Sequence, residues 1–387
     1  MPIAIWVVVF TFVAGVGYIA GTFHTQIIAA IAPVFGVKVF TGELDLSSVQ
    51  TTYQQLKANY DGEIDDSALV EGANRGLVDA VGDEYTVYLN AQESSDFDAD
   101  LSGSIGGGVG IELGVRNDYI TVLRVLRNNP AEAAGIEEGD IITAVNDESA
   151  LEWTVQDAVA QIRGDIGTTV KLTVQRGSDS LNFTVTRDEI NNPSVYSSVD
   201  DGIGIITITR FDSETGQLAR QAARDIKNQG AKKVILDLRG NGGGYLTAAQ
   251  DVAGIWLDRK VVVTEKTNGR VVESLTSASS PILNDIPTVV LVNGSTASAS
   301  EIVAGALQDY GVATIVGEQS FGKGSVQKLI TLPAGAELKV TVAKWYTPNG
   351  QNISEEGITP DVTATLTAED INAGRDPQLE AAKSTLN

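Results

Sequence analysis

Residues 293–327 bring hydroxyl groups and a lysine into surroundings of small residues. Four hydroxyl side chains lie at or just before the start of a predicted helix, and they are Ser295, Thr296, Ser298 and Ser300. A helix that begins in a turn of small residues leaves backbone N–H groups unpaired, and such groups can stabilise an oxyanion. Lys323 follows the next predicted strand and lies between two glycines. The pattern favours a serine nucleophile beside a lysine base. The alternative is an ordinary helix cap and a solvated loop charge.

The cysteine and histidine content restricts this chemistry. The chain has no cysteine, which excludes cysteine nucleophiles and thiolate metal sites. Its single histidine, His24, lies in or beside an apolar N-terminal segment, so a Ser-His-Asp triad cannot be built. A serine nucleophile would therefore need a lysine or a carboxylate as its base, and lysine has the precedent. We expect neither a cofactor nor a metal ion.

Length and charge set the outer bounds. A chain of 387 residues with 43% hydrophobic content is large enough for two or three folded domains. The net charge of -23 argues against a nucleic-acid-binding protein and against electrostatic adhesion to anionic lipid. The absence of cysteine is compatible with an oxidising compartment.

The N-terminal residues 1–32 predict a membrane anchor. The run from Ile3 to Phe23 carries no charge and is just long enough to cross a hydrocarbon core of about 30 Å. A cleaved signal peptide is the rival interpretation, because Ala30-Ile31-Ala32 is a small-x-small sequence. A buried helix of a globular domain is the third. We expect a single-pass membrane protein with its catalytic part outside the cytoplasm.

Residues 40–102 predict a polar helical region. Helices are expected over Ser47–Asn59 and from Asp66 to Val81, followed by an acidic loop from Glu93 to Asp100. Helical pairs of this kind usually pack on a neighbouring domain or on a second copy of themselves, so a homodimer is one expected assembly.

Residues 103–188 have the element order of a PDZ domain. A glycine-rich loop enters a strand, and a short Pro130 helix, two further strands, a helix from Val155 and a final pair of strands follow. PDZ domains bind an extended peptide as an added strand, and glycine-loop amides hold its terminal carboxylate. The donors here would be Val109, Gly110 and Ile111. A closed β-rich domain without a ligand is the alternative.

Residues 195–387 alternate strands and helices. Strands rich in Val, Ile and Leu, separated by amphipathic helices, indicate an α/β domain with a largely parallel sheet. Binding residues are expected at the carboxyl ends of the strands, and both the serine and the lysine loops lie there. So does the glycine-rich sequence that begins at Leu238.

These motifs together resemble the carboxy-terminal processing peptidases, also called tail-specific proteases. The motifs are Asp-Leu-Arg-Gly-Asn-Gly-Gly-Gly, Ser-Thr-Ala-Ser-Ala-Ser-Glu-Ile and Gly-Glu-Gln-Ser-Phe-Gly-Lys-Gly-Ser-Val-Gln, in that order after the PDZ pattern. The resemblance covers the chain from about residue 45 to its end. It implies an α/β protease core of crotonase/Clp-like α/β/α layers with an inserted PDZ domain, beside the N-terminal helical segment and the transmembrane anchor.

The resemblance assigns roles to individual residues. It implies that Ser298 is the nucleophile, that Lys323 is the general base and that Gln327 orients the lysine. It places the oxyanion donors at the amide of Ala299 and at one amide of the Gly243–Gly244 pair.

The role of Lys323 makes a physical demand on its pKa. An ordinary lysine pKa of about 10.4 must fall by roughly three units for the amine to be neutral near pH 7. Burial beside apolar atoms such as those of Phe321 could lower the pKa in this way. Gln327 could hold the amine without adding charge.

Three further residues receive supporting roles. Glu301, in the first turn of the helix, is expected either to cap that turn or to assist catalysis. Asp309 is expected to close the same helix, with a supporting role left open by the resemblance. Arg163, after the second PDZ helix, is either a sensor of bound peptide or a surface arginine.

The sequence thus predicts a membrane-anchored serine-type endopeptidase that binds protein C-termini and cleaves through an acyl-enzyme. Its partners would be protein substrates with free C-termini and, through the N-terminal helix, a membrane, but not nucleic acid. Two alternatives are a catalytically idle PDZ adaptor and an α/β hydrolase or acyltransferase that acts on small esters.

Overall fold

The computed structural model describes residues 44–387, except 104, 105, 117, 118, 127, 191, 279 and 355. The predicted anchor at 1–32 therefore lies outside the described residues. Within the described ranges, no helix is both long enough and apolar enough to cross a membrane. The chain divides after Val70 into two compact units.

The first unit contains helix α1 (Ser47–Asn59) and the start of helix α2 (Asp66–Asp79). Lys57 and Asp66 form an ion pair of 2.8 Å between the two helices. Neither helix has a fully buried residue. Both predicted helices are therefore present, although α2 ends two residues earlier than expected.

Strand β1 (Val87–Leu89) and helix α3 (Ala91–Ser102) follow. The prediction of an acidic loop from Glu93 to Asp100 was wrong, because these residues lie in α3. Asn90 and Glu93 cap the helix reciprocally, since each backbone N–H donates to the other side chain at 2.9 Å. This cap offsets the low helix propensity of the aspartates.

The PDZ-like part is an antiparallel sheet closed by two short helices. The strand order is β3-β4-β5-β7-β8, with β6 beside β5 and β2 paired with β9. The elements are β2 (Gly107–Gly108), β3 (Ile111–Arg116), β4 (Tyr119–Val125), α4 (Pro130–Ala134), β5 (Ile141–Val145), β6 (Glu148–Ser149), α5 (Val155–Ile162), β7 (Thr169–Arg176), β8 (Asp179–Thr186) and β9 (Asp188–Glu189). Gly135 ends α4 in the left-handed region at φ 87°, where glycine is favoured. The core includes Val122, Ile142 and Leu172, all buried.

The α/β part is built on a second sheet in the order β10-β11-β12-β15-β16-β19. Only β10 is antiparallel to its neighbour. The elements are β10 (Val195–Asp200), β11 (Ile203–Ile208), α6 (Thr215–Asn228), β12 (Lys233–Asp237), α7 (Leu246–Ala253), β13 (Val261–Thr267), β14 (Arg270–Thr276), β15 (Thr288–Val292), α8 (Ala299–Asp309), β16 (Ala313–Gly317), β17 (Ser325–Thr331), β18 (Glu337–Tyr346), β19 (Val362–Thr363), α9 (Ala368–Asn372) and α10 (Pro377–Thr385).

Two hydrophobic clusters cover the opposite faces of this sheet. One joins Ile206 and Leu236 to α6, α7 and α8. The other joins Ile235 and Leu291 to Ala382 of α10. The strands are buried on both faces, which explains their nearly continuous Val, Ile and Leu content.

A third sheet, which the sequence did not predict, is antiparallel and has the order β1-β18-β13-β14, with β17 on β18. Its strand β18 follows β17 through a short turn at Pro333–Gly335. Strand β17 begins two residues after Lys323, so this sheet fixes the position of the lysine loop. The indole N–H of Trp345, in β18, donates to the Lys323 carbonyl at 2.8 Å.

Candidate active site

The serine loop connects β15 to α8 and has a strained backbone at Ser298. This residue lies at φ 53° and ψ -116°, outside the regions that a non-glycine residue normally adopts. The neighbouring contacts hold it there. The Thr296 hydroxyl donates to the Leu238 carbonyl at 2.9 Å, and the amide of Ala297 donates to the Asn241 carbonyl at 3.0 Å. The loop is thus fastened to the glycine-rich segment after β12.

The amide of Ala299 lies at the start of α8, immediately after Ser298. It has no hydrogen-bond partner among the described residues. Because it is the first N–H of a helix, it is oriented away from the helical ladder and is available to an anion. The structure therefore places one free backbone donor beside the serine.

The glycine loop supplies a second candidate donor. The amide of Gly243 donates to the Asn241 side chain at 2.9 Å, so it is occupied. The amide of Gly244 has no partner among the described residues. Gly243 approaches the serine closely, since a Cβ placed on it would lie 2.8 Å from the Ser298 Cβ. Of the predicted pair, Gly244 has the amide that is free among the described residues, whereas the amide of Gly243 is already paired.

Asn241 is a site residue that sequence reasoning missed. Its side chain is buried, donates to the Ile208 carbonyl at 2.8 Å and accepts from Gly243. Its carbonyl accepts from Ala297 and from the Ser300 hydroxyl. Asn241 thereby joins the end of β11, the glycine loop and the serine loop. Its place inside a glycine-rich motif was the only available signal.

Glu301 connects the serine loop to the lysine loop. One carboxylate oxygen accepts from the amides of Ser298 at 2.7 Å and Lys323 at 3.0 Å. The other accepts from the Ser320 hydroxyl at 2.6 Å and the Gly322 amide at 2.7 Å. Burial raises the pKa of Glu301, while these four hydrogen bonds favour the carboxylate form. The carboxylate therefore caps the helix and also holds both loops that carry the chemistry.

The surroundings of Lys323 make its amine easier to deprotonate. Burial lowers its pKa, the nearby Lys339 cation lowers it further, and Glu301 acts in the opposite direction. The amine lies over the Tyr85 ring, 5.4 Å from the ring centroid. Phe321, which we expected to shelter the amine, is instead 53% exposed. Its aromatic ring is therefore not the shield that the sequence suggested, and Tyr85 comes from a distant part of the chain.

Gln327 lies in β17, and its side chain lines a cavity that Lys323 also lines. Its amide donates to the Ser325 hydroxyl at 2.8 Å and to the Thr341 hydroxyl at 3.4 Å. No hydrogen bond joins it to Lys323 among the described residues. A bulge between Val326 and Gln327 interrupts the alternation of side chains along β17.

One cavity of about 710 Å³ brings the predicted catalytic residues together. Its lining includes all six of the predicted catalytic and oxyanion residues, which are Gly243, Gly244, Ser298, Ala299, Lys323 and Gln327. Asp309 does not line it, because it ends α8 and accepts from the Asn349 amide at 2.8 Å. In the part of the chain that the structure describes, no cluster of three or more His, Asp or Glu residues could hold a metal ion.

A second cavity, of about 440 Å³, lies between β3 and α5 of the PDZ-like part. Val109, Gly110 and Ile111 all line it. The amides of Val109 and Gly110 have no partner within the described ranges, whereas their carbonyls accept from Ala131 and Leu126. This is the groove in which an added strand would lie. We call it the peptide groove.

Two of the arginines that line the peptide groove differ in their contacts. Arg163 is exposed, lines the groove and forms no ion pair with a described residue. Arg210 lines both the peptide groove and the larger cavity that contains Ser298 and Lys323, which we call the catalytic cavity. Arg210 pairs with Asp212 at 2.9 Å and also donates to the Asn192 carbonyl. The two cavities are therefore neighbours that share one side chain.

Three family models match the sequence. Residues 202–364 match peptidase family S41, and residues 98–175 match the PDZ domain. Residues 36–93 match the N-terminal domain of the activating protease CtpB. The matches follow the same order along the chain as the regions described above.

Individual relatives extend over most of the chain. The carboxy-terminal processing protease CtpA of Bacillus subtilis (strain 168) is 36% identical over 347 residues, which cover 88% of this chain and 74% of that protein. A probable CtpA-like serine protease of Staphylococcus aureus (strain N315) is 34% identical over 352 residues, covering 89% and 71%.

Solved structures show the same relationship. The photosystem II D1 C-terminal processing protease is similar with a TM-score of 0.53 and 28% identity, covering 83% of this chain and 87% of that one. A putative S41 protease from Bacteroides fragilis shares the fold, with a TM-score of 0.62 at 17% identity over 89% and 98% of the two chains. The chain therefore belongs to the carboxy-terminal processing peptidases, which are serine proteases of family S41 that carry a PDZ domain.

Proposed function

We propose that this protein is a membrane-anchored endopeptidase that cleaves proteins through a Ser298–Lys323 dyad. The observation that carries the proposal is that both side chains line one cavity, beside the free amide of Ala299 and with the pKa of the lysine lowered by burial. The amine must be neutral to accept a proton, and the environment of Lys323 acts in that direction.

The proposed reaction has two stages. The neutral amine of Lys323 removes the proton from the Ser298 hydroxyl, and the oxygen attacks the substrate carbonyl carbon. The resulting oxyanion is held by the amides of Ala299 and Gly244. Collapse of the intermediate breaks the C–N bond, and the departing amine takes the proton back from Lys323. A water molecule then hydrolyses the ester, with the lysine again acting as base.

Gln327 has a supporting place in this proposal. Its side chain lines the same cavity as Lys323 and its amide is held by two hydroxyl groups, so the proposed contact with the lysine requires the side chain to rotate. Such a contact would orient the amine without adding a charge that raises its pKa.

Substrate capture is assigned to the peptide groove. Its free amides at Val109 and Gly110 are suited to a terminal carboxylate, and the adjacent strand β3 is suited to an added strand. Arg163, exposed at the groove, would contact the bound chain. Protein substrates with free C-termini are therefore the proposed partners.

The remaining proposals concern location and assembly. The uncharged run from Ile3 to Phe23 would anchor the protein in a membrane and leave the catalytic part outside the cytoplasm. Exposed apolar residues of α1, Val49 and Leu56, support a homodimer through the helical region.

Two alanine variants test the dyad. We expect Ser298→Ala and Lys323→Ala to lose hydrolysis of an unfolded protein such as casein while they keep the wild-type circular dichroism spectrum. Lys344→Ala, an exposed lysine on β18, is the matched control and should remain active. Hydrolysis by either dyad variant at the wild-type rate would show that the assignment is wrong. An inactive wild-type protein that still binds peptides would favour the adaptor alternative.

A further inference from the structure

All the charged side chains that line the catalytic cavity, among the described residues, are basic. Four cationic side chains belong to its lining, and they are Arg210, Lys323, Lys328 and Lys339. No aspartate or glutamate is among the described residues that line it. The chain as a whole has 50 acidic and 27 basic residues, so the sign of the cavity is opposite to that of the protein. The nearby Glu301 does not cancel this charge at the surface, because its carboxylate is fully buried behind the wall.

Three of these four side chains are less suited than the fourth to hold a carboxylate of the substrate. Arg210 is neutralised by its ion pair with Asp212. Lys323 must be uncharged to act as the base of the proposed reaction. Lys328 is exposed. Lys339 is the remaining one.

Lys339 is a cation without a counter-ion. It lies in β18 opposite Leu329 of β17 and Val87 of β1, and it is partly buried. Its amine lies over the Phe97 ring at 5.3 Å from the centroid, and it forms no ion pair with any described residue. Phe97 lines the same cavity, so the amine is held at the wall where a substrate would lie. A partly desolvated, unpaired ammonium group is costly, and a carboxylate from a ligand would relieve that cost.

We propose that the protein selects peptide segments that carry an aspartate or glutamate side chain near the bond to be cleaved, and that Lys339 binds this carboxylate. The inference rests on the proposed function and adds the substrate class to it. Lys339 acts here as a specificity-determining residue and takes no part in bond breaking.

The acidic surface does not oppose this preference at physiological salt. The charges that give the net value of -23 are spread over the whole chain and are screened beyond about 8 Å. A contact inside a partly buried cavity is screened much less. We therefore expect the preference to persist at about 0.15 M salt and to weaken only gradually as salt is added.

Paired peptides test the proposal. The bond in β-casein that the full-length protein cleaves fastest is first located by mass spectrometry. Peptides containing that bond are then made with Glu or Gln at each flanking position and with one common free C-terminus. At a pH where the rate no longer depends on pH, we expect kcat/KM to be about tenfold higher for the best Glu peptide than for its Gln partner, mainly through KM.

Variants then identify the residue responsible. We expect Lys339→Gln to reduce the Glu-to-Gln ratio to near one, Lys339→Arg to retain most of it, and Lys344→Gln, which removes an equal charge from the exposed side of β18, to leave it unchanged. A role in which Lys339 only tunes the base would change both peptides equally and would overturn the proposal. So would equal rates for the paired peptides with the unaltered protein.

A binding measurement separates this proposal from the catalytic one. Fluorescence anisotropy of the same labelled peptides with Ser298→Ala does not need turnover. A preference for Glu peptides that depends on Lys339 would support the specificity even if the dyad assignment failed. Equal affinities would overturn the specificity while leaving proteolysis intact.

Discussion

Replacing Glu301 with glutamine tests how far one buried carboxylate organises the active site. Glutamine has the same shape but exchanges one acceptor oxygen for an NH₂ group. If the NH₂ group faced Ser298 and Lys323, two backbone donors would lose their acceptor. If it faced Ser320 and Gly322, the serine hydroxyl could turn and accept, because a hydroxyl oxygen has two lone pairs. The second orientation is therefore favoured, because it gains the donation to Ser320, but it leaves the Gly322 amide and the Ser320 hydroxyl hydrogen without the oxygen that accepted from them.

The loss of stability follows from the number of buried donors that lose their acceptor. A buried N–H without a partner costs about 1–3 kcal/mol, so we expect Glu301→Gln to lower the free energy of unfolding by at least that amount. The loop that carries Lys323 would lose one of its attachments at Gly322. We expect kcat to fall by about ten- to a hundredfold, because small displacements of a catalytic group have effects of this size.

Thermal unfolding followed by circular dichroism measures the first effect, and hydrolysis of a fluorogenic peptide measures the second. Asp309→Asn is the matched control, since it lies in the same helix but is only partly buried, and an asparagine oxygen can still accept from the Asn349 amide. Its stability should stay within roughly 0.5 kcal/mol of the original protein. A Glu301→Gln protein as stable and as active as this control would refute the reasoning.

Two further predictions concern the base and the glycine loop. Removing the Lys339 charge raises the pKa of Lys323. In Lys339→Gln, the acid limb of the pH profile of kcat/KM, measured with a neutral peptide, should therefore move to higher pH. An unchanged limb, or one that moves to lower pH, would contradict the charge assignment. Gly243→Ala places a Cβ 2.8 Å from the Ser298 Cβ at a backbone φ of 102°, so it should lose most of the activity and about 1–3 kcal/mol of stability. Gly242→Ala, whose added Cβ would have nothing within 4 Å, should keep both its activity and its stability.

Local patterns predicted most of the fold and the composition of the site. Helix α5 has the expected bounds because its Thr154 cap and apolar face are encoded within ten residues. The parallel sheet was also predicted from local patterns, because strands and helices alternate along the chain after Ile203. Ser298 and Lys323 were identified by their motifs, and the rule that loops meet at the carboxyl ends of parallel strands brought them together.

The features that were not predicted from the sequence depend mostly on contacts between distant segments. The aromatic ring near Lys323 belongs to Tyr85, and the pairing of β1 with β18 that brings it there has no local signal. The hairpin of β13 and β14 was missed because its second strand is largely exposed and lacks a clear alternation. The occupied amide of Gly243 depends on the rotamer of Asn241, which no spacing rule specifies.

The position of Arg210 has a consequence for the products of the reaction. Because this side chain forms part of both the peptide groove and the catalytic cavity, a polypeptide held by its end in one must pass the guanidinium group to reach the other. Under the proposed function, the released C-terminal fragments would share a minimum length, set by the path around Arg210 and independent of their sequence.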